Sequence, residues 1–244
     1  MNHVNLSGVE EAARLQLCLR ASARYKDAGR FAYHFAYFKL KTDPLFTDIL
    51  LSGALGSCTD LCDLGCGQGL LSAWLVAAQE QMRQGPWPGQ WPPPPCPERT
   101  RGVDLRESGI RSARTALGER AEYRVLDLRE ANCDGADAVA ILDAIHYIGF
   151  AEQQQLLQRL RAALPAGGTL LLRVADAGSG FAYRLAQWID RANDLLRDRR
   201  LSAFHCRSVE AWLTLLKDCG FEARRNTRRS GSSFSNTLLI ARAV

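Results

Sequence analysis

The chain has 244 residues, 47% hydrophobic and 23% charged, the balance of an ordinary globular protein. That excludes a disordered tail, a collagen-like fibre and a coiled-coil rod, and the length suits one large α/β domain. The net charge of +5 comes from 31 basic and 26 acidic residues, too mild an excess for a nucleic-acid-binding arm, so nucleic acid is not an expected partner.

Of the basic residues only Lys26, Lys39, Lys41 and Lys217 are lysines. No apolar run approaches the ~18 residues that would cross a bilayer. The first residues, Met1 to Asn5, carry neither a basic nor an apolar leader region, and cytoplasmic residence is the expectation. The cysteines are Cys18, Cys58, Cys62, Cys66, Cys96, Cys133, Cys206 and Cys219. They form no CxxC pair, and the spacing of Cys58, Cys62 and Cys66 is not that of a zinc site. Reduced, mostly buried thiols and no metal are expected.

Residues 8–23 read as a helix, with Val9, Ala12, Ala13, Gln16 and Leu19 on one face. A segment from Phe31 to Leu40 follows, dense in aromatics. Asp43-Pro44 is the start signal of a third helical stretch reaching Leu55, with Leu45, Ile49 and Leu50 on one face.

Thr59 to Leu64 reads as a short buried strand. It runs into Asp63-Leu64-Gly65-Cys66-Gly67-Gln68-Gly69, after which Leu71, Trp74, Leu75 and Ala78 recur at helical spacing. Strand, glycine-rich turn and helix open a Rossmann-like βαβ unit. Residues 84–97 hold seven prolines with Trp87 and Trp91. They read as a solvated surface loop of polyproline character.

Alternation then resumes. Strands are predicted over 101–105, 121–126, 136–142 and 169–174, the last a continuous apolar run suited to the middle of a parallel sheet. Helices are predicted over 108–117 and 152–164. A longer helix is predicted over 181–201, its stripe running through Phe181, Leu185, Trp188 and Ile189. Ser208 reads as the N-cap of a further helix, Gly220 as its C′ residue, and 221–225 and 235–241 as two closing strands joined by a polar connection.

The glycine turn departs from the dinucleotide fingerprint. Its third glycine comes one residue early, and Asp63 would repel a diphosphate. A ligand with a cationic amino group and no phosphate suits it better. Asp104, Asp127 and Asp143 end the next three strands in Gly102-Val103-Asp104-Leu105, Val125-Leu126-Asp127-Leu128 and Ala140-Ile141-Leu142-Asp143. The carboxyl ends of parallel strands share one sheet edge, where open α/β folds bind ligands.

With these residues in view, the sequence resembles the class I S-adenosylmethionine-dependent methyltransferases over about residues 58–244. The resemblance implies a seven-stranded, mostly parallel Rossmann-like sheet with helices on both faces. It also implies an N-terminal helical cover (residues 1–56), a methyltransferase domain (57–244), a loop insertion at 84–97 and a helical lid at 180–204. The cofactor implied is S-adenosyl-L-methionine. Asp63, Gly65, Cys66, Gly67 and Gly69 would hold it at the turn, Asp104 and Leu105 at the ribose, Asp127 and Leu128 at the adenine, and Asp143 beyond.

His146, three residues past Asp143, is the candidate general base for an oxygen nucleophile, since its ordinary pKa lies near neutrality. A structural or substrate-orienting histidine is the competing reading. His34 and His205 are weaker candidates. Lys39 or Arg30 could meet an acidic acceptor. No Asn-Pro-Pro-Tyr-type tetrapeptide follows strand four, and Asp143-Ala144-Ile145-His146 resembles the small-molecule branch of the family. A small or carrier-bound acceptor of secondary metabolism, methylated on oxygen, is therefore expected. The rivals are a non-catalytic cofactor-binding module and a nicotinamide-dependent oxidoreductase.

Overall fold

The computed structural model describes residues 7–175, 205–226 and 236–244. The helix expected over 181–201, the 180–204 lid and the connection after Asn226 lie outside the described residues.

Three helices come first: α1 (Gly8–Ala23), α2 (Arg30–Thr42) and α3 (Leu45–Ser52). The sheet then alternates with helices: β1 (Asp60–Leu64), α4 (Leu70–Gln84), β2 (Arg99–Asp104), α5 (Glu107–Leu117), β3 (Glu122–Val125), β4 (Ala138–Leu142), α6 (Phe150–Ala163), β5 (Thr169–Ala175), α7 (Val209–Asp218), β6 (Phe221–Arg225) and β7 (Asn236–Ala243). The strand order is β3-β2-β1-β4-β5-β7-β6. β1 to β5 run parallel, whereas β7 pairs antiparallel with both β5 and β6. The expected seven-stranded, mostly parallel sheet is therefore present.

Side chains alternate across the sheet with period two. Leu61, Ala138, Ala140, Leu171 and Ile240 face a core shared with α1 to α5, while Cys62, Val139, Ile141, Leu170, Leu172 and Leu239 face one shared with α6 and α7. Leu170 to Val174 follow the pattern except Arg173, a buried guanidinium among apolar neighbours.

Capping residues fix the helix ends. The Ser7 hydroxyl accepts from Glu10 N while Glu10 accepts from Ser7 N, a capping box that starts α1. The Ser208 hydroxyl accepts from Ala211 N and starts α7, and Gly220, at φ 85°, follows its end.

Two expectations need correction. α1 buries Ala13, Leu17, Cys18, Ala21 and Ser22, while Val9 is 64% and Leu19 47% exposed. The buried stripe is thus rotated from the expected face. Small residues let α1 lie close to its neighbours: Gln81 of α4 donates to the Ala13 carbonyl and the Cys18 thiol to the Leu40 carbonyl. The proline-rich loop is likewise not simply solvated. Pro88, Trp91 and Pro95 are buried. The Trp91 indole donates to Glu10 at 2.9 Å and packs edge-on against Trp87 with centroids 5.3 Å apart.

All eight cysteines are free thiols, and only Cys96 is exposed. Among the described residues, no helix is long and apolar enough to cross a membrane.

Candidate active site

After Leu64 the backbone takes left-handed values at Gly65, Gly67 and Gly69, with φ 77°, 58° and 76°. At two of these a side chain has no room: a Cβ on Gly65 would stand 2.3 Å from Ala144 Cβ, and one on Gly69 would stand 2.6 Å from Tyr123 Oη. Gly67 differs, because only the Arg106 guanidinium comes near it, at 3.2 Å. The turn is tied to its neighbour strand, as Gly65 N and Cys66 N both donate to the Val103 carbonyl. Gln68 then locks it to the N-terminal helices. Its carbonyl accepts from Tyr25 Oη at 2.8 Å, and its amide donates to the Ala32 carbonyl at 3.1 Å.

Asp63 and Asp104 flank this turn. Asp63 is 2% exposed. Burial, and then the nearby Asp104 charge, push its pKa up to about 7. The same burial raises the Cys66 thiol well above its ordinary value, with Asp63 and Asp104 adding to the effect. Asp104 Oδ2 accepts from Gly67 N at 2.8 Å, while Oδ1 accepts from Arg106 N at 2.8 Å and Arg106 Nε at 3.2 Å. An ionised carboxylate has about four acceptor directions, so Oδ2 keeps one for a ligand hydroxyl. Leu105, immediately beyond, exposes 66% of its surface at this edge.

Asp127 stands next along the edge, since Leu126 N donates to the Asp104 carbonyl. Its two oxygens are gripped by the Arg129 guanidinium, which also reaches Glu152 at 2.5 Å. Hydrogen bonding from Arg129 holds the Asp127 carboxyl below its usual range. Leu128 is half-buried beside it.

Asp143 belongs to a different group of charges. It is the one non-glycine residue with positive φ, 59°, among the described residues. Its Oδ2 accepts from Arg173 Nη1 at 2.8 Å and its Oδ1 from Asn236 Nδ2 at 3.2 Å. Arg173 also makes a two-pronged contact with Asp43, at 2.6 and 3.0 Å. Lys39 Nζ lies 2.7 Å from Asp43 and 3.6 Å from Asp143. Against burial, which raises it, Lys39 and Arg173 hold the Asp43 carboxyl below its ordinary pKa.

His146 lies on a 3-10 turn, Ile145–Tyr147, and is 6% exposed. Burial lowers its pKa, opposed by the charge of Asp143. Its carbonyl accepts from His205 N at 2.9 Å. The buried Gln153 amide donates to the carbonyls of Ile145, Ile148 and His205, stapling the turn to the returning chain. Tyr147, with its ring 4.5 Å from that of His146, feels Arg106, Asp143 and Asp104, so the two groups of charges meet there. His34 and Arg30 are exposed on α2.

The sheet edge thus gathers Asp63, the glycine turn and Asp104 on one side, with Asp143 and His146 on the other. Sequence reasoning missed Tyr25, Gln68, Arg106, Arg173, Asp43 and Gln153. A charged residue inside the apolar run of β5 was a signal for Arg173. Tyr25, Gln68 and Asp43 act through partners distant in sequence, whereas Arg106 reaches Asp104 only two residues back.

A methyltransferase-domain family model matches residues 62–170. No curated protein matches the sequence. Solved structures share the fold at low identity. Human N-acetylserotonin methyltransferase in complex with its S-adenosylmethionine is 15% identical at a TM-score of 0.54, the match covering 96% of this chain and 56% of that one. An O-methyltransferase family protein from Burkholderia thailandensis is 17% identical at 0.59, over 96% and 68%. Magnesium protoporphyrin IX methyltransferase from Synechocystis PCC 6803 is 15% identical at 0.51, over the full length of both chains. This chain therefore spans little more than half the length of the human relative.

Proposed function

We infer that this chain is a class I S-adenosylmethionine-dependent methyltransferase and that it moves the methyl group to an oxygen of a small organic acceptor, free or carried on a protein. The observation that carries the reading is the pairing of the glycine turn with Asp104, whose carboxylate bonds Gly67 N at 2.8 Å.

The residues present fit the cofactor. Two carboxylates beside a glycine turn oppose a diphosphate and suit a ligand with an ammonium group and sugar hydroxyls. Asp104 would accept from a ribose hydroxyl, and the exposed Leu105 would offer the adenine an apolar surface. Asp127 and Leu128 would edge the adenine, with Gly65, Cys66, Gly67, Gly69 and Asp63 around the methionine part. When bound, the cofactor supplies an activated methyl group on a sulfonium.

What remains for the protein is alignment and proton removal. His146, whose pKa burial lowers, is neutral at pH 7 and able to accept a proton from an acceptor hydroxyl. Asp143 and Tyr147 would sit between the two halves. The O-methyltransferase and N-acetylserotonin methyltransferase among the structural relatives favour a small acceptor.

The test has two stages. Calorimetry with S-adenosylhomocysteine should show one site per chain. Methyl-labelled cofactor should then label members of a panel of phenols, carboxylic acids and acyl thioesters, and His146→Ala should lower turnover far more than cofactor affinity. Absence of binding sinks the reading. Binding without labelling of any acceptor class favours the non-catalytic module.

A further inference from the structure

The charges around Asp143 do more than neutralise one another. Arg173 sits in the fifth strand, in register with Leu142 of the fourth and Leu238 of the seventh, and is 5% exposed. A buried guanidinium is costly unless its donors are satisfied. Here it spans two carboxylates from segments distant in sequence. Asp43, at the end of α2, is 130 residues away, and Asp143, at the end of β4, is 30 residues away. Asp43 has a further duty, because its Oδ1 accepts from Leu45 N where α3 begins. One buried side chain therefore joins the α2–α3 corner to the residue that leads into the His146 turn. Asn236, at the start of β7, holds the second oxygen of Asp143. Asp143 keeps its left-handed backbone under three contacts: Arg173, Asn236 and Lys39.

We propose that Asp43 and Arg173 are positioning residues for the acceptor half of the site: through Asp143 they fix the turn that carries His146 to the N-terminal helices. The inference rests on the reading of His146 as an acceptor-side group. It predicts that the helices and the chemistry communicate through one ion network, whose hydrogen bonds are not shared with those around Asp104. The charged or titratable groups around the turn are Asp143 and Tyr147 on the turn itself and Lys39 and Asp43 from the helices. Arg173 comes from β5, His205 from the returning chain, and Arg106 lies beyond Tyr147.

The test follows the His146 ring by NMR titration in the full chain saturated with S-adenosylhomocysteine. Removing the nearer cation with Arg173→Gln leaves Asp143 only the more distant Lys39 as counter-charge, so the His146 midpoint should rise by about half a pH unit or more. Asp43→Asn is nearly isosteric. It frees Arg173 to neutralise Asp143 more fully, so the midpoint should fall. Arg173→Lys should restore most of the wild-type value. S-adenosylhomocysteine affinity should stay within about twofold in all three variants, because none touches the glycine turn.

If Arg173→Gln does not fold, Asp43→Asn carries the same test with the opposite sign. Lower melting temperatures with an unmoved His146 titration would mean the network is merely structural and would overturn the proposal. Loss of cofactor affinity would overturn it too, by placing the network in the other half of the site. Wild-type protein that fails to bind S-adenosylhomocysteine overturns the functional reading and this inference together.

Discussion

Gly67 and Asp104 come from different βα units, yet the backbone N–H of the first donates to the carboxylate of the second at 2.8 Å. The bond spans 37 residues and sets the turn that would face a cofactor's methionine part against the acid that would face its sugar. Arg106 takes the other carboxylate oxygen with both its backbone and side-chain N–H groups. The acid is thereby oriented before any ligand arrives, which lowers the cost of ordering on binding.

Asp104→Asn should show this directly. An amide offers one acceptor oxygen where the carboxylate offers two, so Gly67 N and Arg106 can no longer both be served along with a ribose. Losing a charge-assisted hydrogen bond costs about 1.5–3 kcal/mol, so S-adenosylhomocysteine affinity should fall roughly 10- to 150-fold. Calorimetry would measure it, and unchanged affinity would remove the sugar assignment.

Gly65 tests the turn itself. A Cβ there meets Ala144 Cβ at 2.3 Å on a backbone at φ 77°. Gly53 has a similar φ, 64°, but nothing within 4 Å. Gly53→Ala should therefore cost only the left-handed penalty, about 1–2 kcal/mol, and leave cofactor affinity alone. Gly65→Ala should cost more, and weaken S-adenosylhomocysteine binding at least tenfold. Equal denaturation midpoints for the two would show that the Ala144 contact relaxes freely.

Asp63 predicts a pH dependence of binding. Its folded pKa is raised to about 7, against an ordinary value of 3.8, so the free protein carries this carboxyl partly protonated at neutrality. A ligand ammonium favours the ionised form, so binding should release a proton and tighten as pH rises from 6 to 8. The sign for stability is opposite. A raised acid pKa means the folded state holds its proton longer than the unfolded chain, so stability present at low pH is lost as pH climbs from about 4 to 7. Asp63→Asn should abolish this loss, raising the melting temperature of the free protein at pH 8 while weakening S-adenosylhomocysteine binding. Calorimetry in buffers of different ionisation enthalpy would count the proton.

The glycine turn and the four strand-ending acids were legible because both are local. A β-strand, a left-handed turn and a helix follow one another within about 20 residues, and each has its own residue signature. The unusual state of Asp143 was not. Its oxygens are held by Arg173 and Asn236, which only the folded sheet brings near. The face of α1 was misjudged for a related reason. The expected face shared only Ala13 with the buried stripe, which runs on through Leu17, Cys18 and Ala21 and leaves Val9 and Leu19 exposed, because close helix packing selects small residues at the contact.

The proline-rich loop offers the sharpest contrast between composition and packing. Its prolines rule out regular structure, and no helix or strand forms over residues 86–98, yet Trp91 is 4% exposed. Its indole donates to Glu10 Oε1, while Glu10 Oε2 accepts from Ser7 N in the capping box of α1. The loop thus reaches the same carboxylate that starts the first helix. Trp91→Ala should remove a buried ring and loosen that cap together, lowering stability by about 3–5 kcal/mol. Trp91→Phe keeps most of the ring and loses only the hydrogen bond, for about 1 kcal/mol. Glu10→Gln keeps an acceptor and should cost no more than that. Urea unfolding of the three variants separates the contributions. A Trp91→Ala midpoint indistinguishable from wild type would return the loop to solvent.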